Sequence, residues 1–174
     1  MHKPIIITGL SCCALFCVAA FGQAGAATGS DQSFVDFAAQ TDMLEAHLGQ
    51  MAQDQAAKQD VKTYAQMLNT DHTSDYNALT TAATKAGDSV PKGIDAAGNK
   101  VIARFEKLKG ASFDRTFLRE MVAGHTKAIA RYKEEIDKGQ NADVKAYAQQ
   151  ALPTLEKHLN DAKDLLAGKP MPTS

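Results

Sequence analysis

Apolar residues that recur at three- and four-residue steps over long stretches restrict the fold of this chain more than any other feature. Val61, Ala65, Leu68, Leu79, Ala83 and Ala86 form one such stripe, the period of a single helical face. Another runs through Phe34, Phe37, Thr41, Leu44, Leu48 and Met51, with the alternating steps of a bundle seam. A third takes Phe117, Leu118, Met121, Val122, Ile129, Tyr132 and Ile136. A fourth takes Val144, Tyr147, Ala148, Ala151, Leu155, Leu159, Ala162 and Leu166. No segment alternates with period two over more than a few residues, so strands are not expected. The pattern predicts an all-α, antiparallel four-helix bundle with a short crossover helix between long helices two and three.

The punctuation between stripes sets the expected boundaries. Asp31 or Ser33 is placed to cap the first helix, and a tight turn is expected near residue 57. The second helix runs from about Asp60 to Ala86, with Gly87 as a left-handed stop. Asp88–Gly98, with Pro91, Gly93 and Gly98, reads as a crossing loop. Val101, Ile102, Phe105 and Leu108 then face inward on a short helix that Gly110 ends. Ser112 is expected to cap the next long helix, Gly139 to stop it, and Asn141 to cap the last, with Asp143 in its first turn. Pro153 either bends that last helix or opens the second of two shorter ones. The bundle domain is thus expected over residues 31–168, with a tail at 169–174.

Residues 1–26 read as a secretory signal. Lys3 supplies the positive start, Ile5 to Phe21 an apolar core, and Ala24-Gly-Ala26 a small-residue cleavage pattern at Ala24 or Ala26. The apolar run is short for a membrane span, and no span is expected after cleavage. Cys12, Cys13 and Cys17 all lie in this segment, so the mature chain would have neither disulfides nor thiolate ligands. Secretion without disulfides suits a bacterial periplasm or outer envelope. Without the signal the chain keeps 18 basic and 20 acidic residues, a net charge of −2, which argues against a nucleic-acid partner.

Polar residues interrupt the apolar stripes near mid-length. His72, His125 and His158 occupy stripe positions on three different helices, and Glu45 lies beside Leu44 on the remaining one. Counting from the turns brings all four to one height in an up-down bundle. Three imidazoles and a carboxylate in a dry interior suit a transition metal ion such as zinc, copper or iron. Asp71, Asp75 and Asp161 are placed to orient the rings as outer acceptors, since His72-x-x-Asp75 and His158-x-x-Asp161 each share a helical face. The alternative is a hydrogen-bonded polar layer that fixes helix register without metal. His47 flanks its stripe and reads as a solvated or interfacial residue. The Glu-x-x-His motif of di-iron bundles is absent, as are a phosphate loop and a metalloprotease helix.

Several segments carry a family resemblance. They are Phe34-Val-Asp-Phe-Ala-Ala39, Val61-Lys-Thr-Tyr-Ala65, Met67-Leu-Asn-Thr-Asp-His-Thr73, Phe113-Asp114, Met121-Val-Ala-Gly-His125 and Leu152-Pro-Thr-Leu-Glu-Lys-His-Leu159. Over roughly residues 32–167 the chain resembles the bacterial family of domain of unknown function 4142, often labelled an outer-membrane protein. The resemblance implies a ferritin-like helical bundle of the cell envelope, a class in which metal sites are common, and no established activity. It also implies family counterparts of His72, His125 and His158.

Three functions are in play. The leading expectation is a metal-binding or stress-related envelope protein, with Glu45, His72, His125 and His158 as ligands. The second is a structural or protein-interaction module whose histidines set register. The third is a redox enzyme using the buried metal. The residues favour a binding role over an enzymatic one and name no protein partner.

Overall fold

The computed structural model describes residues 29–171. The expected signal at 1–26, with its cysteines and cleavage pattern, lies outside the described residues, as does the end of the tail. Five α-helices and no strands occur among the described residues: α1 Gly29–Gln55, α2 Gln59–Ala86, α3 Ala96–Phe105, α4 Gly110–Lys138 and α5 Ala142–Leu166. No described helix is long and apolar enough to cross a membrane. α1 packs on α2 and α4, α5 packs on α2 and α4, and α3 leans against α1.

Local chemistry explains most boundaries. Gly87 adopts φ +83°, and the Asp88 amide reaches back to the Ala83 carbonyl, so α2 ends in a left-handed glycine cap. Asn141 Oδ1 accepts from the Asp143 and Val144 amides and starts α5. Three boundaries differ from expectation. The Asp95 carboxylate accepts from the Gly98 amide at 2.7 Å, which starts α3 early and takes Gly98 into the helix rather than the loop. Gly110 opens α4 at φ +62° instead of ending α3, and Ser112 sits in the first turn of α4 rather than at its cap. Asp31 likewise lies within α1, which begins at Gly29. α5 is one continuous helix through Pro153. Pro153 and Gln149 both lie on its exposed side, where a carbonyl freed by proline remains near water.

Two facing stripes are rotated from their expected setting. On α1 the buried residues include Phe34, Val35, Ala38, Ala39, Asp42, Glu45, Leu48 and Ala52, while Phe37, Thr41, Leu44 and Met51 are half-buried. Small residues there let α2 approach closely: a Cβ on Gly49 would stand 2.6 Å from the Ala65 carbonyl oxygen. On α5, Leu159 is half-buried and Leu166 exposed, and Asp161 and Leu165 take the inner face.

The core is two apolar clusters with a polar layer between them. One gathers Leu48, Tyr64, Leu68, Phe105, Phe113, Phe117 and Met121; the other gathers Phe34, Leu79, Tyr132, Val144, Tyr147 and Leu155. Truncating a fully buried member such as Phe117 to Ala costs about 3–5 kcal/mol. The layer falls between these clusters on every long helix.

The hairpins α1–α2 and α4–α5 share an internal repeat with a constant spacing of 83 residues. Asp60-Val-Lys-Thr-Tyr-Ala-Gln66 matches Asp143-Val-Lys-Ala-Tyr-Ala-Gln149, and Asp31 and Phe34 match Asp114 and Phe117. The hydrogen bonds obey the same rule. The Asp114 carboxylate accepts from the Ala57 and Lys58 amides in the α1–α2 turn. The Asp31 carboxylate accepts from the Gln140 and Asn141 amides in the α4–α5 turn. Each hairpin therefore clamps the other's turn.

Candidate metal centre

α1 contributes Asp42 and Glu45, three residues apart and so on one face; α2, α4 and α5 contribute His72, His125 and His158. All five are buried, the histidines completely. The three rings meet with centroids 5.2–5.6 Å apart. One ring nitrogen from each lies within 4.8 Å of the others.

The outward nitrogens are each held by an acceptor. His72 Nδ1 lies 2.9 Å from Asp42 Oδ1, His125 Nδ1 2.9 Å from the Met121 carbonyl, and His158 Nε2 2.9 Å from Asp71 Oδ2. A carbonyl or carboxylate oxygen can only accept, so each outward nitrogen carries the proton. In neutral rings the inward atoms, His72 Nε2, His125 Nε2 and His158 Nδ1, are then bare lone pairs.

These inward nitrogens crowd together with a carboxylate oxygen. Glu45 Oε2 lies 3.0 Å from His72 Nε2 and 3.3 Å from His125 Nε2, and His125 Nε2 lies 3.2 Å from His158 Nδ1. Neither Glu45 Oε2 nor His72 Nε2 has a hydrogen bond of acceptable geometry, although both are buried. Unpartnered buried polar atoms are costly.

Protonation relieves only part of this crowding. Burial pulls the His72 pKa down, but the Glu45 charge and the bond to Asp42 overcome it and raise the pKa to about 10. Burial and the His72 charge push His158 down to about 4, and burial also lowers His125. Burial would raise Glu45, but the neighbouring His125 and His72 charges hold it low. Without an ion at neutral pH, His72 is an imidazolium between two carboxylates. The 3.2 Å contact between His125 and His158 then has no proton to share.

A tyrosine pair continues the network beyond Asp42. Tyr147 donates to Asp42 Oδ2 at 3.4 Å and lies 2.9 Å from the Tyr132 hydroxyl, and burial raises both phenols well above 10. Tyr64 braces the other side by donating to the His158 carbonyl at 3.0 Å. Two openings lead toward the layer. A cavity of about 480 Å³ between α1, α2 and the 92–94 loop reaches Asp42 and His72. A cleft of about 180 Å³ between α1 and α4 reaches Glu45.

The structure brings Glu45, His72, His125 and His158 together. Among the expected outer acceptors only Asp71 touches a ring. Asp161 pairs instead with Lys157 at 2.6 Å. Asp75 bonds no ring, and its Oδ2 is buried without a partner. A shared helical face does not aim a ring nitrogen at a neighbour, so neither carboxylate meets the histidine three residues before it. Asp42 was missed as an acceptor; its signal was its place three residues before Glu45 on the Val35-Ala38-Ala39 face. The Met121 carbonyl, a backbone group, left no side-chain signal. His47 is exposed at the rim of the larger cavity.

No curated protein matches the chain. The crystal structure of a DUF305 fragment from Deinococcus radiodurans is similar, with a TM-score of 0.70 over 82% of this chain and 98% of that one. At 17% identity the likeness speaks to the helical fold alone. The family model for domain of unknown function (DUF4142) matches residues 18–165. With most of its length matched, the chain belongs to the domain of unknown function 4142 family.

Proposed function

We propose that the polar layer binds a transition metal ion, with Glu45, His72, His125 and His158 as its ligands. The protein around it is an antiparallel, ferritin-like four-helix bundle secreted to the bacterial periplasm or outer envelope. The observation that carries this reading is the set of inward lone pairs. Every outward nitrogen is held by an acceptor, so in neutral rings three bare nitrogens and Glu45 Oε2 face one another, and without an ion only an added proton on His72 relieves them. A cation is what such a set lacks.

The dimensions suit one. Two ligands at about 2.0–2.1 Å from a tetrahedral zinc ion stand about 3.3 Å apart. The contacts from Glu45 Oε2 to His72 and His125, and from His125 to His158, measure 3.0–3.3 Å. Asp42 and Asp71 behind His72 and His158 form the carboxylate–histidine arrangement that fixes ligand tautomers. Secretion rests on the residue 1–26 pattern alone.

The test is elemental analysis of residues 27–174, purified without affinity tag or chelator, beside the His72→Ala variant. At least one equivalent of zinc, copper or iron in the wild type, reduced in the variant, is expected. The register reading has one observation of its own, the His72 imidazolium seated between Asp42 and Glu45. Metal-free wild type whose melting temperature is indifferent to added zinc, copper and iron would establish that reading instead.

A further inference from the structure

The repeat draws out a second cluster of donor atoms in the polar layer. Its 83-residue spacing carries Asp42 onto His125 and Asp75 onto His158. In hairpin two this pair of positions supplies two of the four proposed ligands. In hairpin one the same two positions hold carboxylates, and His72 lies between the pairs. Its Nε2 faces Glu45 and hairpin two, and its Nδ1 faces Asp42. Asp42, His72 and Asp75 each offer one donor atom within 4.8 Å of the others.

We infer that Asp42, Asp75 and Nδ1 of His72 bind a second divalent first-row ion, making the layer a two-ion centre bridged by the His72 ring. The inference rests on the reading above, because the bridge needs the first ion on His72 Nε2. Two observations support it beyond the repeat. Asp75 Oδ2 is buried and has no hydrogen-bond partner, a costly state for an acceptor beside another carboxylate. Asp42 is already divided between two tasks: Tyr147 approaches Oδ2, which leaves Oδ1 on the His72 side. The orphaned atom and Oδ1 are then the carboxylate ligands.

Charge and protons balance. The second ion takes the place of the proton on His72 Nδ1, which leaves to solvent, and the ring becomes an imidazolate. Glu45, Asp42, Asp75 and that ring then offset two divalent charges in a buried site. Oxygen donors make the second site the harder of the two.

Zinc is the probe. Wild-type residues 27–174 are saturated with zinc, desalted and analysed for metal, beside Asp75→Asn, with folding checked by far-ultraviolet circular dichroism. Two equivalents in the wild type and one in Asp75→Asn are expected. Zinc titration in weak buffer with a pH indicator should release one more proton per chain from the wild type than from the variant. One equivalent in both proteins overturns the second ion and leaves the first intact. Two in both places the second ion elsewhere on the surface and also overturns the inference. No zinc in either overturns both sites. If Asp75→Asn does not fold, a wild type holding a single equivalent still refutes the bridge.

Discussion

The hairpins α1–α2 and α4–α5 share a frame and differ at its centre. Both begin with an aspartate that clamps the partner's turn and a phenylalanine three residues on, and both carry Asp-Val-Lys-x-Tyr-Ala-Gln at the start of the second helix. Mid-length they part. Hairpin one has Asp42, Glu45, His72 and Asp75 where hairpin two has His125, Ala128, Leu155 and His158. Shared positions are those that any helical hairpin needs to turn, pack and dock. The positions that meet in the polar layer are among the many that differ, as are pairs elsewhere such as Leu48 and Arg131 or Gly49 and Tyr132. Chemistry in this protein therefore comes from broken symmetry: hairpin one supplies most of the carboxylates, hairpin two most of the bare nitrogens.

Giving hairpin one its partner's residue is the strongest way to break that comparison. His72→Leu copies Leu155 and leaves Asp42 and Glu45 buried without their cation. A loss of about 3–5 kcal/mol in urea unfolding is expected, together with loss of bound metal. If stability is unchanged, the two carboxylates did not depend on His72.

A smaller effect sharpens the assignment of ring partners. Asp71→Ala removes the acceptor behind His158, and metal affinity measured against a chromophoric chelator should fall about 10–100-fold. Asp161→Ala, whose carboxylate pairs with Lys157 and no ring, should change affinity by less than about twofold on the same reasoning.

The two turn clamps test the shared frame. Asp114→Ala and Asp31→Ala each free two turn amides to water, and each should cost about 1–2 kcal/mol of unfolding free energy. Metal content should not change in either. A cost confined to one of them would show that the hairpins do not dock as equivalents.

The mildest test is pH. His72 has its folded pKa raised to about 10, so its contribution is full below its ordinary value of 6.5 and fades as pH rises toward 10. His158 has its folded pKa lowered to about 4. Its contribution is present above 6.5 and is lost as pH falls toward 4, where the unfolded chain binds the proton more readily. Metal-free protein should thus lose melting temperature on both sides of about pH 6.5. Metal-loaded protein should hold its melting temperature to higher pH, because ligation replaces the His72 proton.

The sequence by itself determined the helices and the presence of polar residues in their apolar faces. Periodicity, Gly87 and Asn141 are local signals, and local sterics and capping bonds enforce them wherever the helix packs. The histidines were legible too, since a ring amid leucines and alanines at helical spacing has to face the core. Other features are long-range. The face α1 buries turned on small residues that admit α2, which a stripe drawn through the largest side chains misplaces. The aim of each imidazole turned on acceptors from several sources. Asp42 lies across the hairpin from His72, Asp71 belongs to the helix packed beside His158, and the Met121 carbonyl is one turn before His125. Only the packed structure fixed those directions, because a ring keeps its proton on whichever nitrogen the tertiary fold brings within 3 Å of an acceptor oxygen.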